Sequence, residues 1–214
     1  MISEQNVKRI LRQDLFFDEK QIKKLENFTQ KLIIFNKKRN LISKNTEKQV
    51  WDRHILDSAQ IIKFIDANNC SGIADLGSGG GFPGIILAIF FNNYNFHVKL
   101  YEKSPIKSRF LKDISKILDL KCKIISGDVH SMKIDSNYVV CRAFKKLSHI
   151  LNISRENCVK KHKIIILKGK NAQEEVKNTS QLIDFEYKLE KSISKDDSWI
   201  IILNAKYKLR NQIL

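Results

Sequence analysis

Six of the chain's eight glycines fall between Gly72 and Gly84, five of them in the run Asp75-Leu76-Gly77-Ser78-Gly79-Gly80-Gly81-Phe82-Pro83-Gly84. Glycine at this density permits positive φ and lets a ligand approach bare backbone. The run follows a strand-like stretch at 73–76 and leads into an apolar helical stretch at 83–91, where Pro83 suits a first turn. A strand, a glycine loop and a helix in that order offer free N–H groups at a helix start, which favour an anion. In an open α/β sheet such a loop sits at the ligand crevice.

The rest of the chain supplies the sheet. Strand-like runs at 73–76, 96–101, 123–125, 138–141 and 163–167 alternate with helical stretches, which predicts a mostly parallel sheet covered on both faces. The helix at 105–118 is expected to turn Ile106, Phe110, Leu111, Ile114, Ile117 and Leu118 inward. The last two runs, 183–189 and 199–203, leave no room for a helix between them and read as an antiparallel hairpin at the sheet edge. Residues 1–66 are helical in pattern. A short helix at 6–12 precedes one capped by Asp18, with Ile22, Leu25, Phe28, Leu32 and Phe35 on one face. A basic turn at 36–40 follows. Thr46 and Gln49 have the capping-box form and open a second helix with Val50, Trp51, Ile55, Ala59, Ile62 and Phe64 as its apolar positions. The join near 66–72 is short, so the helical region 1–66 is expected to pack on the region 67–214 as one unit.

Composition removes several classes. The 214 residues, 43% of them apolar, can bury a sizeable core despite a formal charge of +16. The longest purely apolar run, 85–91, is far short of a membrane span. The N-terminus lacks the layout of a signal peptide, so a cytoplasmic protein is expected. Cys70, Cys122, Cys141 and Cys158 have neither metal-knuckle nor redox-motif spacing and read as free thiols; His97, His149 and His162 read as structural, and no metal site is expected. The positive balance points toward a polyanion. Lys, Ile and Asn, all read from A/T-rich codons, make up 79 of the residues, so genome composition accounts for part of it.

Gly79, Gly81 and Gly84 fit the dinucleotide spacing G-x-G-x-x-G, with Glu102 about 18 residues on. Other features favour S-adenosylmethionine. Asp75 closes the strand where it can meet the ligand's ammonium group. The glycines begin in the form Asp-x-Gly-x-Gly, and a sheet ending in a hairpin is that of methyltransferases rather than dehydrogenases. Glu102, ending the second strand, can accept both ribose hydroxyls. No Lys-Ser or Lys-Thr follows Gly84, which argues against a phosphate-binding P-loop. A nicotinamide-dependent oxidoreductase is the alternative, although no acid–base group for it is evident.

Four stretches carry a resemblance: Arg53-His54-Ile55-Leu56-Asp57-Ser58, Asp75 to Gly84, Arg142-Ala143-Phe144 and Leu167-Lys168-Gly169. Together they resemble the bacterial small-subunit ribosomal RNA methyltransferase G family, also called glucose-inhibited division protein B. Asn40-Leu41 fits the family's Asn-Leu-Thr, with Ile42 in place of the threonine. The resemblance implies a Rossmann-like class I methyltransferase sheet with a helical N-terminal extension. It implies methyl transfer from S-adenosylmethionine to N7 of one guanine in the decoding-site loop of 16S rRNA, in naked rRNA, the small subunit or an assembly intermediate. It implies cofactor contacts at Gly77 and Phe82, beside Asp75, Gly79 and Glu102. Val129 and His130 would flank the adenine; the family often has an acidic residue where His130 stands, and Asp128 lies two residues earlier. Arg142 would stand in the cleft at the end of the fourth strand, as a cofactor contact and as the residue that positions the substrate, and Arg53, His54 and Lys168 would face RNA. Guanine N7 has a free lone pair, so no general base is required, and alignment supplies the catalysis. Arg142 could hold O6 while leaving N7 free. The base has to leave its stack. A monomer is expected. A non-catalytic RNA-binding assembly factor is a further alternative. The plain reading of Arg53 and Asp57 is an i,i+4 ion pair on a helix, and that of Lys168-Gly169-Lys170 an ordinary basic loop.

Overall fold

A computed structural model describes residues 2–209. Two helices, α1 (Glu4–Gln13) and α2 (Glu19–Arg39), open the chain. Asp18 caps α2 in a full capping box: its side chain accepts from Gln21 N–H while Gln21 reaches back to the Asp18 backbone. The turn expected at 36–40 starts later. α2 runs through Arg39, and Asn40 ends it with φ 45°. Asn36 is buried inside α2, accepting from the Ile42 N–H across the cap.

The second helix expected from Thr46 is replaced by a composite. A 3-10 turn (Lys44–Gln49) leads to a π-helical turn (Trp51–Leu56), the short α3 (Asp57–Ala59) and another 3-10 turn (Gln60–Phe64). Thr46 is not its cap; its hydroxyl donates to the Ser43 carbonyl at 3.0 Å. The irregularity follows from what the segment buries. Asp52, His54 and Gln60 all turn inward, and tertiary hydrogen bonds rather than a uniform helical ladder set the backbone.

The sheet has seven strands in the order β3-β2-β1-β4-β5-β7-β6. These are β1 (Ile73–Leu76), β2 (Val98–Glu102), β3 (Cys122–Ser126), β4 (Tyr138–Arg142), β5 (Lys163–Lys168), β6 (Ile183–Lys191) and β7 (Trp199–Leu209). The first five run parallel, and β7 lies antiparallel between β5 and β6, so the expected hairpin edge is present. The chain goes outward from β1 through β2 and β3, then returns to β4 on the other side of β1. The strand order therefore reverses between β1 and β4, where a crevice opens at the carboxyl ends of the strands.

α4 (Gly84–Phe90) and α5 (Pro105–Ile117) cover one face together with the N-terminal helices; Phe28 packs on Phe82, Phe17 on Phe90 and Phe35 on Phe110. α6 (Leu147–Asn157) and α7 (Ala172–Ser180) cover the other. α5 buries Phe110, Leu111 and Ile114, with Leu118 buried at its C-cap, but Ile106 and Ile117 are exposed, at 51% and 48%. At 3.6 residues per turn these two lie about a quarter-turn off the axis of the buried stripe.

Candidate functional site

The glycine loop is held from below. Asp75 is fully buried, and its Oδ2 accepts the Gly84 N–H at 2.9 Å; its Oδ1 has no hydrogen-bond partner. The carboxylate expected to meet a ligand ammonium group thus turns under the loop instead. It occupies the helix-start N–H that the sequence reserved for an anion. Burial pushes its pKa up to about 7. Above the loop, the Gly77 and Ser78 N–H groups donate to the Tyr101 carbonyl, and the Gly79 N–H donates to Glu102 Oε2 at 2.8 Å. Glu102 Oε1 accepts from Ser104 N–H at 2.7 Å. Gly77 takes φ 73°, and a Cβ there would run into the Phe144 ring. Gly79 takes φ 57°, and a Cβ there would meet nothing nearer than the Gly77 carbonyl oxygen at 3.7 Å.

A cavity of about 230 Å³ lies over this loop, lined by Gly77, Gly79, Glu102, Lys103, Asp128, Val129, His130, Ala143 and Phe144, among others. The structure thus brings together Gly77, Gly79, Glu102, Val129 and His130 from the expected set. Phe82 does not line it; it is buried with its ring stacked on His54 at 5.0 Å and the Arg142 guanidinium above it at 5.0 Å. Asp128 accepts the His130 N–H through one oxygen and pairs with Lys103 Nζ at 2.9 Å through the other. That ammonium group holds the Asp128 carboxyl below the usual carboxylate range. Asn157, the last residue of α6, donates through Nδ2 to the carbonyls of Val129, His130 and Met132 at 2.8–3.2 Å. Sequence reasoning missed it, since it lies 25–28 residues from the segment it clips.

A second cavity, of about 290 Å³, is lined by Arg53, His54, Asp57, Arg142, Ala143, Leu167 and Lys168, with Ser194, Lys195 and Ser198 from the β6–β7 turn. Ala143, a non-glycine residue with φ 48°, lines both cavities, so they meet at the end of β4. Arg142 is held there by three acceptors. Its Nη1 donates to the Arg53 carbonyl at 3.0 Å and to Asp57 Oδ2 at 3.4 Å, and its Nη2 donates to His54 Nδ1 at 2.7 Å. Burial pulls the guanidinium's pKa down, opposed by Asp57, and arginine remains a cation in any case. On its other side, His54 Nε2 reaches Thr46 Oγ1 at 2.8 Å. Burial, with the charges of Arg142 and Arg53, pulls the His54 pKa down to about 3.

Two expectations change here. Asp57 does not pair with Arg53 one turn away but with Arg142, and it also accepts from Gln60, Ser192 and Ser194. Arg53 lines the cavity, and its guanidinium makes no hydrogen bond or ion pair among the described residues. Lys168 also lines the cavity, but its Nζ is tied to Glu175 at 2.8 Å and to the Lys145 carbonyl at 2.7 Å, and its side chain is only 12% exposed. Glu175, Gln60 and the two serines were not foreseen. All four cysteines are free thiols. Among the described residues no three His, Cys, Asp or Glu side chains form a metal cluster, and no helix is long and apolar enough to cross a membrane.

Residues 21–198 match the family described as rRNA small subunit methyltransferase G. A protein named ribosomal RNA small subunit methyltransferase G from Pelagibacter ubique is 40% identical over 171 residues, 78% of this chain and 80% of that one. Its namesake from Rickettsia felis is 38% identical over 180 residues, covering 84% and 91%. Among solved structures, an O-methyltransferase from Bacillus cereus in complex with SAH superposes with a TM-score of 0.60 at 11% identity, covering 93% of this chain and 97% of that one. TYW2 of M. jannaschii in complex with AdoMet gives 0.51 at 18% identity, covering 73% and 76%. At these identities the two structures carry the fold alone, a class I methyltransferase sheet.

Proposed function

The chain belongs to the rRNA small subunit methyltransferase G family, and from that premise we propose that it transfers a methyl group from S-adenosylmethionine to N7 of one guanine in 16S rRNA. The observation that carries this reading is the pair of cavities meeting at Ala143, one over the glycine loop and one around Arg142.

The residues of the first cavity fit an adenosyl group. A Cβ at Gly79 would meet only the Gly77 carbonyl oxygen, at an ordinary 3.7 Å, and Gly79 lines the cavity, so bare backbone is offered to a ligand there. Each Glu102 oxygen accepts one backbone N–H and keeps a lone pair for a ribose hydroxyl. Val129 and His130 stand beside it for the adenine. S-adenosylmethionine, when bound, supplies an electrophilic methyl group on a sulfonium centre. The chain's own contribution is then alignment and electrostatics rather than proton transfer.

The second cavity agrees with that division. Among the described residues His54 is the only imidazole lining it, and both of its ring nitrogens are engaged. It offers no base, and guanine N7, whose lone pair is free at neutral pH, requires none. Arg142 can donate to guanine O6 and leave N7 open. Arg53 supplies a free cation for a phosphate at the same mouth. The formal charge of +16 suits a polyanionic substrate whose binding weakens with salt. The reading extends to a protein acting as a monomer in the cytoplasm, on naked 16S rRNA, the small subunit or an assembly intermediate. Family membership displaces the nicotinamide reading of Gly79, Gly81 and Gly84.

The test is methyl transfer from labelled S-adenosylmethionine to unmodified small subunits, naked 16S RNA and large subunits, with the labelled nucleoside identified. N7-methylguanosine at one 16S position is the expected product. Label at another atom overturns the regiochemistry. Absence of cofactor binding overturns the reading altogether.

A further inference from the structure

The most extensive polar network at the second cavity centres on Asp57, a residue with no place in the mechanism above. Its Oδ2 faces Arg142, while its Oδ1 accepts from Ser194 Oγ at 2.8 Å, Gln60 Nε2 at 3.0 Å and Ser192 Oγ at 3.3 Å. Gln60 extends the clasp: Nε2 donates to Ser192 Oγ at 2.8 Å, and Oε1 accepts the Ile193 N–H at 2.9 Å. The turn between β6 and β7 is therefore seated on α3 and the 3-10 turn after it through Asp57 and Gln60. The Asp57 carboxylate links that turn to the guanidinium at the end of β4.

The consequence falls on what Arg142 has left to offer. Its three partners are the Arg53 carbonyl, the Asp57 carboxylate and His54 Nδ1, and its plane lies over Phe82. Its Nε–H makes no hydrogen bond among the described residues. A guanidinium only donates. Held in one orientation, it presents the cavity with a donor and nothing else. The N7 edge of guanine carries two acceptors, N7 and O6, whereas the same edge of adenine carries N7 and an amino donor. A fixed donor beside position six accepts the first purine and opposes the second. A guanidinium free to swing does neither.

Resting on the methyl-transfer reading, we infer that Asp57, seated by Ser194, is a positioning residue that fixes Arg142 as the donor for the 6-oxo group of the target purine. The β6–β7 turn thereby takes part in base selection.

The chain has eight arginines, few enough to follow one guanidinium by ¹⁵N NMR, with Arg142→Lys giving the assignment. A clamped guanidinium rotates slowly about Cζ–N and shows resolved Nη signals. These are expected for Arg142 in the wild-type chain and are expected to average in Ser194→Ala and Asp57→Asn. Methyl transfer to 16S RNA is the second readout. The kcat should fall about tenfold in Ser194→Ala and about a hundredfold in Asp57→Asn. Affinity for S-adenosylhomocysteine should stay within about twofold, since the first cavity is untouched. Ser194→Thr, which keeps the hydroxyl, should recover most of the loss. Unchanged Arg142 signals in Ser194→Ala overturn the inference, as does an unchanged kcat in that variant. Asp57→Asn losing cofactor affinity together with kcat would recast Asp57 as a general structural support. Averaging in the variants beside a wild-type chain that transfers no methyl group leaves the clamp standing and sinks the methyl-transfer reading instead.

Discussion

Arg142 Nη2 lies 2.7 Å from His54 Nδ1, and because a guanidinium can only donate, that contact fixes the imidazole. Nδ1 is the acceptor, the ring proton sits on Nε2, and Nε2–H points to Thr46 Oγ1. The Thr46 hydroxyl in turn donates to the Ser43 carbonyl, so the chain of donors runs consistently from β4 to the 3-10 turn at 44–49. Protonating His54 would set two donors against each other, which agrees with a pKa pulled down to about 3.

His54 and Asp75 should give opposite slopes in stability against pH. His54 has a folded pKa below its unfolded one, so its contribution is intact above about 6.5 and is lost as pH falls toward about 3. Asp75 has a folded pKa raised to about 7, so its neutral form is favoured and stability declines as pH rises from about 4 to about 7. The two oppose each other between about pH 4 and 6.5. In Asp75→Asn the declining part is removed, and urea unfolding free energy should rise more steeply with pH across that window. An unchanged slope would mean that Asp75 is ionised throughout.

Gly77 and Gly79 should separate stability from ligand binding. Gly77→Ala drives a Cβ into the Phe144 ring at φ 73° and should cost about 2–4 kcal/mol in unfolding free energy. Gly79→Ala carries backbone strain of about 1–2 kcal/mol, but its methyl makes only an ordinary contact, with the Gly77 carbonyl oxygen at 3.7 Å, at a position that lines the cavity. Its larger effect should be on S-adenosylhomocysteine affinity, read by calorimetry. Equal affinities in Gly79→Ala and wild type would remove the cavity from the cofactor.

Arg53 and Lys168 should part company in salt titrations of RNA binding. Arg53→Ala should lower the slope of log K against log salt by about one and leave the melting temperature unchanged. Lys168→Ala should leave the slope alone. It breaks a pair whose side chains are only 12% and 27% exposed and should cost about 1–3 kcal/mol in stability. The reverse pattern would return Lys168 to the RNA face.

Asn157→Ala should loosen the segment at 129–132 by leaving three carbonyls without their shared donor. A stability loss of about 1–3 kcal/mol is expected, with faster amide exchange at Val129 and His130. Protection unchanged at these two amides would mean that Asp128 alone holds the turn.

What the sequence made legible was local. Periodicity and the missing helix before β7 announced the sheet and its hairpin edge. Glycine density marked the loop, while the bond from the Gly79 N–H to Glu102, expected only to meet a ribose, joins residues 23 positions apart. The features the sequence did not show depend on distant partners. Asp75 gives one oxygen to Gly84, nine positions on. Phe82 packs between Phe28 and His54. Arg53 and Asp57 suggested a pair by spacing, yet Arg142, 85 residues away, takes the carboxylate. The serines that seat Asp57 come from 135 and 137 residues away. Contacts of that span leave no period in the chain.

Ala143, left-handed and next after the last residue of β4, lines both cavities, while Arg142 before it lines one and Phe144 after it lines the other. On the proposed reading, methyl donor and acceptor meet across one small residue, and its size is a dimension of the reaction. A bulkier residue there would act as a spacer. Each ligand would still bind on its own side, as separate titrations would register, while the gap between them grew too wide for the methyl group to cross.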